Sequence, residues 1–474
     1  MQNASRAAVR ATLAVAALLA CATGARAAEP DPVPATTASP AADALPPATV
    51  ADPPDATAVP AEHDVRLVPQ PASPSPTSAD AKKTPPRDPY RLEWAPLPAV
   101  GGNTDMGLML GVQTVIVQHD PKVDPYRYRI AFQLAMSFKW WDGRGFYLPV
   151  HMDFLRMDFP GLVGGKLRLF VSAEYNQRNN GGYYGLGNAS RYLEPSDDPT
   201  GTPTVSRNRQ RYQYQQYEPL VRVNTRYELM KGLYLMSGAR LLWERSVVYP
   251  GSALWKDRRV VHGLEDHVAL QLAAGLTYDT RNHEYMPYKG FYCEAQLRGS
   301  PGLGNDLHFG GATLDGRGYF SIYGEYLVVA SRLFADLLFG NVPFYELSRA
   351  SAFENRDYPG GRDGFRGVPE GRYHGKIKIG ADIELRSMFW TFYLWDTRFR
   401  AGALLLGDIG RTWNDYRRDD KRDGTGAGLK WGAGVGIRVQ VEETIVARFD
   451  FSYSPDSAAQ GLPIGIYVDM NHVF

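Results

Sequence analysis

The chain has 474 residues with 52 Lys and Arg against 51 Asp and Glu, a net charge of +1, which offers nothing for nucleic-acid phosphates to bind. Mean hydropathy is −0.33, and no apolar run after residue 27 reaches the roughly 20 residues a membrane helix needs. Neither figure excludes a closed barrel, whose strands cross a membrane with a polar face hidden inside.

The first residues read as a signal peptide spanning 1–27. Arg6 and Arg10 precede an apolar stretch from Ala11 to Thr23, and Ala25-Arg26-Ala27 supplies an A-x-A cleavage pattern. Leu18-Leu19-Ala20-Cys21 loosely fits a lipobox, so a lipoprotein signal is the rival reading. With cleavage after Ala27, only Cys293 remains, and one thiol cannot staple a secreted fold.

Residues 28–89 read as a disordered periplasmic linker. Of the 34 prolines, 16 lie between Pro30 and Pro89 among Ala, Thr, Ser and Asp. Such a stretch lacks backbone donors and buries almost nothing.

From Tyr90 to Phe474 apolar residues recur at every second position, the mark of strands with two unlike faces. In Lys376–Arg386 one face carries Ile377, Ile379, Ala381, Ile383 and Leu385; the other carries Lys376, Lys378, Gly380, Asp382, Glu384 and Arg386. The same alternation runs through Gly290–Arg298, Leu233–Glu244 and Ile445–Tyr453. These segments are longer than the usual ~5–6 residues of a soluble strand and approach the ~9–11 of a tilted membrane strand. Aromatics gather near segment ends, as at Trp140, Trp141, Phe389, Trp390, Phe392, Tyr393 and Trp395, where interfacial girdles sit.

The expected fold is therefore all-β, a transmembrane antiparallel barrel of about 16 strands. Strands are expected to begin near Arg91, Met106, Tyr126, Gly145, Lys166, Arg209, Gly232, His267, Gly290, Ala312, Tyr326, Lys376, Ala401, Leu429, Glu443 and Pro463. Alternate connections are long, polar and Gly-rich: 176–208, 248–266, 299–311, 341–375 and 414–428. They read as extracellular loops, the short ones between as periplasmic turns. At the end, Ile464, Ile466, Val468, Met470, His472 and Phe474 share a face expected to meet lipid.

Several segments resemble the BamA/TamA superfamily, also called the bacterial surface antigen family. Gly360-Gly-Arg-Asp-Gly-Phe-Arg-Gly367 is similar to its GG…(V)RG(F/Y) loop, and Leu404-Leu-Leu-Gly-Asp-Ile-Gly-Arg-Thr-Trp413 to its F-x-D-x-G-x-V-W strand end. Gly432-Ala-Gly-Val-Gly-Ile-Arg438 and Ala447-Arg-Phe-Asp-Phe-Ser-Tyr453 resemble its last G-x-G-x-R and L-R-F-D-F-x-Y strands, and five strands follow the loop motif, as in the family. A weaker match is Tyr278-Asp-Thr-Arg281 with Pro287 and Gly290. The pattern departs at Phe365, where Val or Ile is usual, and at Val368, where Phe or Tyr is usual. The family's best-known members also carry POTRA domains ahead of the barrel, which a Pro-rich stretch cannot form; the chain reads as a barrel-only member.

The resemblance implies that loop residues Gly361, Phe365, Arg366 and Gly367 fold into the barrel lumen, with Arg366 paired to Asp408 and Glu384. It implies that the terminal strand, through Tyr467 and Phe474, is the signal read by the barrel-assembly machinery. It also implies a place in the outer membrane of a Gram-negative bacterium, among lipid and lipopolysaccharide, and a role in outer-membrane biogenesis or in translocating protein or lipid. A passive pore or structural barrel is the alternative. The composition of Gly432, Gly434 and Gly436 on one strand face independently leaves room for something to pack there.

No catalytic constellation stands out: there is no H-E-x-x-H, G-x-S-x-G or Walker loop. The reading is a non-enzyme and a monomer, with no cofactor and no metal. His262 with Asp266, His283 with Glu284, and the charged run 417–423 read as solvated loop or turn polarity, with calcium or lipopolysaccharide contact conceivable at the last.

Overall fold

The computed structural model describes residues 90–474 except 142–144, 191–210, 285, 352, 355, 395–396, 442–444, 461–463, 471 and 473. The signal-peptide and linker readings lie outside the described residues, as does Trp395.

One antiparallel sheet of 17 strands dominates; its three-residue member Gly145–Tyr147 pairs only with the tip of a neighbour, which leaves 17 − 1 = 16 wall strands. In chain order they are β1 Leu92–Asn103, β2 Gly107–Asp120, β3 Val123–Trp141, β4 Val150–Leu162, β5 Leu167–Gly182, β6 Gln213–Met230, β7 Leu233–Val248 and β8 His267–Asp279. Then follow β9 Gly290–Pro301, β10 His308–Tyr323, β11 Leu327–Gly340, β12 Ile377–Leu394, β13 Thr397–Trp413, β14 Lys430–Val441, β15 Ile445–Tyr453 and β16 Ile464–Met470. Each pairs with the next, and β1 meets β16, so the wall closes. Closure is what a lipid-spanning sheet requires, because an open edge would leave backbone donors and acceptors without partners.

The alternation read from the sequence sets the two faces. On β12, Ile379 and Ile383 are 42 % and 56 % exposed, while Lys378, Asp382 and Glu384 between them are buried. The outward face carries the apolar residues and the inward face the charges, the reverse of a soluble protein. Phe389, Trp390 and Tyr393 stand exposed at the short-turn end of the wall and Trp140 at the long-loop end. No helix among the described residues is long and apolar enough to cross a membrane.

Two expectations change. The connection placed at 299–311 shrinks to 302–307, because β9 and β10 run further than composition suggested. His262 and Asp266, both partly exposed, face Asp306 at 3.3 Å and Arg245 at 3.8 Å. Most consequentially, His472 and Phe474 do not continue the lipid face: Ile464 and Ile466 are exposed, but β16 ends at Met470 and both later side chains are buried. Phe474 packs with Tyr319 and Ala330, its main-chain oxygen accepts a hydrogen bond from Arg386 Nη2 at 2.8 Å, and its ring lies against the Arg386 guanidinium. Alternation assigns a face only while the strand continues.

Candidate functional site

Two features stand out: the joint between β1 and β16, and the long connection 341–376 between β11 and β12.

The joint is short. β1 pairs with β2 at twelve positions, Leu92↔Gln118 to Asn103↔Gly107. It pairs with β16 at only two, Gly102↔Val468 and Asn103↔Tyr467; Thr104 N adds one bond to Ile466 O at 3.1 Å. β16 ends at Met470, and its last two residues are already unpaired with β1.

The connection 341–376 carries a 3₁₀ turn, Phe344–Ser348, and a two-residue ladder, Arg349–Ala350 with Arg356–Asp357. Its first part is held by Lys378 of β12, whose ammonium donates to Glu346 O, Leu347 O and Arg349 O at 3.3, 3.3 and 2.7 Å and faces Asp336 at 2.9 Å. Arg349 Nη1 donates to Glu218 of β6 at 2.5 Å, and Arg240 of β7 pairs with Glu346.

Its second part contains Gly361, Phe365, Arg366 and Gly367. Arg366 is fully buried against the inward face. Its Nε and Nη2 donate to Asp408 Oδ2 and Oδ1 at 2.8 and 2.7 Å, and its main-chain N donates to Asp408 Oδ2 at 2.9 Å. Nη1 contacts Glu384 and lies 3.4 Å from Asp450. Burial alone would favour the neutral guanidine; the carboxylates of Asp408, Glu384 and Asp450 outweigh it and hold Arg366 charged. Arg386, Arg438 and Arg448 face Glu384 and Asp450 from the wall, so the three acids meet four guanidiniums. A forked cation matched to a carboxylate also fixes orientation, which a lysine could not.

The approach depends on missing side chains. A Cβ at Gly432 would lie 2.0 Å from Arg366 O, one at Gly410 2.1 Å from the Phe365 ring, and one at Gly380 2.7 Å from the same ring. Gly410 and Gly380 explain how the wall accommodates Phe365: its fully buried ring needs both, and it meets Tyr358 edge-on at 5.3 Å. Gly361 and Gly367 both take φ +94°, open to glycine at little cost.

The loop also touches both strands of the joint. Gly367 N donates to Tyr467 Oη at 2.8 Å, while Ser452 and Ser457 donate to Arg366 O and Gly367 O at 2.7 and 2.9 Å. Three residues on, Glu370 Oε1 accepts from Asn103 Nδ2 of β1 at 3.1 Å, and Glu370 N donates to Asp105 Oδ2 at 3.1 Å. Arg178 of β5 forks between Glu370 and Asp357, 3.0 Å from each. Burial, with the carboxylates of Asp357 and Asp105 nearby, pushes the Glu370 carboxyl up to about 7 against the pull of Arg178.

Asp408, Glu384, Phe365, Arg366, Gly367 and Tyr467 thus come together, whereas Phe474 sits apart with Arg386 and Tyr319. Sequence reasoning missed Asp450, Lys378 as a loop anchor, and the Glu370 contacts. Asp450 lies in the strand motif 447–453, so its inward parity was available. In the charged loop 414–429, Asp423 is buried and accepts from Asn414 N and Asp419 N at 2.6 and 3.0 Å, a turn-building role. Among the described residues no group of three or more His, Cys, Asp or Glu is placed to hold a metal.

A family model described as the Omp85 superfamily domain matches residues 130–462. Among solved structures, BamA from Haemophilus ducreyi lacking POTRA domains 1–3 is similar at 12 % identity and TM-score 0.51, over 81 % of this chain and 70 % of that one. CdiB from Escherichia coli is similar at 12 % identity and TM-score 0.49, over 81 % of this chain and 63 %, under two-thirds, of that one. At such identity the BamA likeness bears on the fold alone. No curated protein matches the chain.

Proposed function

The chain belongs to the Omp85 superfamily, and from that premise we propose that it acts in the bacterial outer membrane to insert or translocate protein or lipid, opening between β1 and β16 while the loop 341–376, docked in the lumen, braces the wall. The proposal includes a signal peptide over 1–27, a periplasmic linker over 28–89, long loops facing outward, and a monomer among lipid and lipopolysaccharide. Assembly of the barrel itself would read Tyr467 and Phe474.

The observation that carries this reading is the two-position ladder at the joint. Sheet edges associate through their backbone groups, so a nearly unpaired edge in a barrel is a place where another strand can add or the wall can part. Opening there breaks few bonds, while everything else in the wall resists. The loop contacts oppose a passive pore, since a large permanent channel would need the space that Phe365 and Arg366 fill.

Single-channel conductance of the purified chain, with a disulfide across the joint, tests this. Gly101→Cys and Asp469→Cys extend the observed register by one position. Brief openings that vanish on oxidation and return on reduction are the expected result. A large, steady conductance indifferent to the disulfide would replace this reading with the passive pore.

A further inference from the structure

Beyond Arg386 from the Arg366 cluster, at the rim of short turns, a cavity of about 150 Å³ lies between the turn 280–289 and the inward face of β11–β14. Arg386, Arg398 and Arg400 line it, with Gln440 beside them and Met286 and Met388 as apolar walls. Among the described lining residues Glu325 is the one carboxylate, and it already accepts from Arg400 Nη1 at 2.9 Å.

The guanidinium hydrogen bonds do not close. Arg386 donates through Nε to Glu384 at 2.7 Å and through Nη2 to Phe474 O at 2.8 Å, yet its buried Nη1 has no partner among the described residues. Its side chain is only 7 % exposed. Arg400 likewise leaves a buried Nη2 without one. A buried charged donor without an acceptor is costly, and two of them on side chains that line one cavity call for the same kind of partner. Guanidinium forks match oxyanions in shape and charge. The volume is several times the roughly 30 Å³ of a water, enough for a tetrahedral oxyanion.

We infer that this cavity is a binding site for a phosphate group, held by Arg386 Nη1, Arg400 Nη2 and the Gln440 amide. The site stands on its own geometry and does not depend on the β1–β16 joint opening. Its phosphate comes either from the free ion or from a phosphate ester such as a lipid headgroup, whose organic part would lie along Met286 and Met388.

The test uses the full chain folded in detergent and titrated by calorimetry with inorganic phosphate and, separately, glycerol 3-phosphate. Sodium chloride at equal ionic strength is the control, and melting temperature is followed in parallel. The expected result is saturable binding with a rise in melting temperature that chloride does not reproduce. Tighter binding of the ester identifies an esterified ligand; equal or weaker binding identifies the free ion. Arg400→Gln, which touches neither the loop cluster nor Phe474, should weaken binding roughly tenfold to a hundredfold, the worth of one charged hydrogen bond. Should that variant fail to fold, Gln440→Leu is expected to weaken binding in the same sense. No saturable response to either anion, a response that chloride matches, or full affinity in the folded variant would overturn the proposal.

Discussion

The wall at β12–β13 and the joint at β1–β16 are built on opposite plans. The first is paired at seventeen positions from Ile377↔Trp413 to Leu394↔Thr397 and carries both Glu384 and Asp408. The second is paired at two. The loop 341–376 treats them differently as well: it commits a fully buried arginine to the strong wall, and it meets the joint through the neutral Gly367 to Tyr467 bond, the Asn103 to Glu370 bond and the part-exposed Arg362–Asp469 pair at 3.2 Å. A buried ion cluster costs much to desolvate and little is gained on balance, but it permits one geometry only. A neutral hydrogen bond can be exchanged for water cheaply. The contrast teaches that the loop is fixed where the barrel is rigid and replaceable where the barrel is weak.

The largest expected effect tests the rigid end. Arg366→Ala or Asp408→Ala leaves a buried charge poorly compensated and should cost about 3–5 kcal/mol, seen as loss of heat resistance of the folded barrel on a gel. The double variant should be little worse than either single one, since the second change removes a group already unpaired. Additive losses would show that the two residues act independently and would erase the distinction between wall and joint.

Next comes the surface on which the loop lands. Gly410→Ala puts a methyl 2.1 Å from the Phe365 ring and should cost about 1–3 kcal/mol by overpacking. Phe365→Val, which shortens the side chain, should restore part of it, the approach to Ile379 O at 2.3 Å remaining. A Gly410→Ala barrel as stable as the parent in urea would mean the ring does not rest there.

At the joint the effects shrink. Tyr467→Phe removes one neutral acceptor from Gly367 N and should cost about 0.5–1.5 kcal/mol, raising the frequency of channel openings more than it lowers heat resistance. A loss as large as that of Arg366→Ala would contradict the two-plan account. The smallest effect is a pH dependence. The Glu370 carboxyl, raised to about 7 from 4.5, binds its proton more tightly in the folded barrel than in the unfolded chain. Its stabilising share is therefore complete below about pH 4.5 and is lost as pH rises through about 7. Openings should become more frequent between pH 5 and 8, and Glu370→Gln should flatten that trend. A trend of opposite sign would place the titrating group elsewhere.

The same contrast explains what the sequence disclosed. Strand number and many starting points were legible because a lipid-facing wall forces apolar residues to every second position; Gly290, His267 and Lys376 fall at or within one residue of the observed starts, while Gly145, Arg209, Ala312 and Ala401 miss them by four or five, since alternation marks a strand's body better than its end. Arg366, Asp408 and Glu384 were legible only through motif order, since no local pattern announces a partner 42 residues away. Lys378 looked like any inward-facing lysine, yet it holds three loop carbonyls; nothing in strand parity foretells which loop descends onto it. The brevity of the joint was hidden for a related reason. Alternation persists through His472 and Phe474, while the chain leaves the sheet after Met470 to meet Arg386 and Tyr319. That departure is decided by packing across the barrel, which a one-dimensional pattern cannot carry.

Hydrogen–deuterium exchange of the folded barrel tests the central claim most directly. The account predicts that seam-facing amides of residues 92–101, which have only β2 as a partner strand, exchange at least tenfold faster than those of residues 399–410, which are paired on both sides. Equal protection of the two segments would mean that the joint is zipped along its length, and would contradict an opening between β1 and β16.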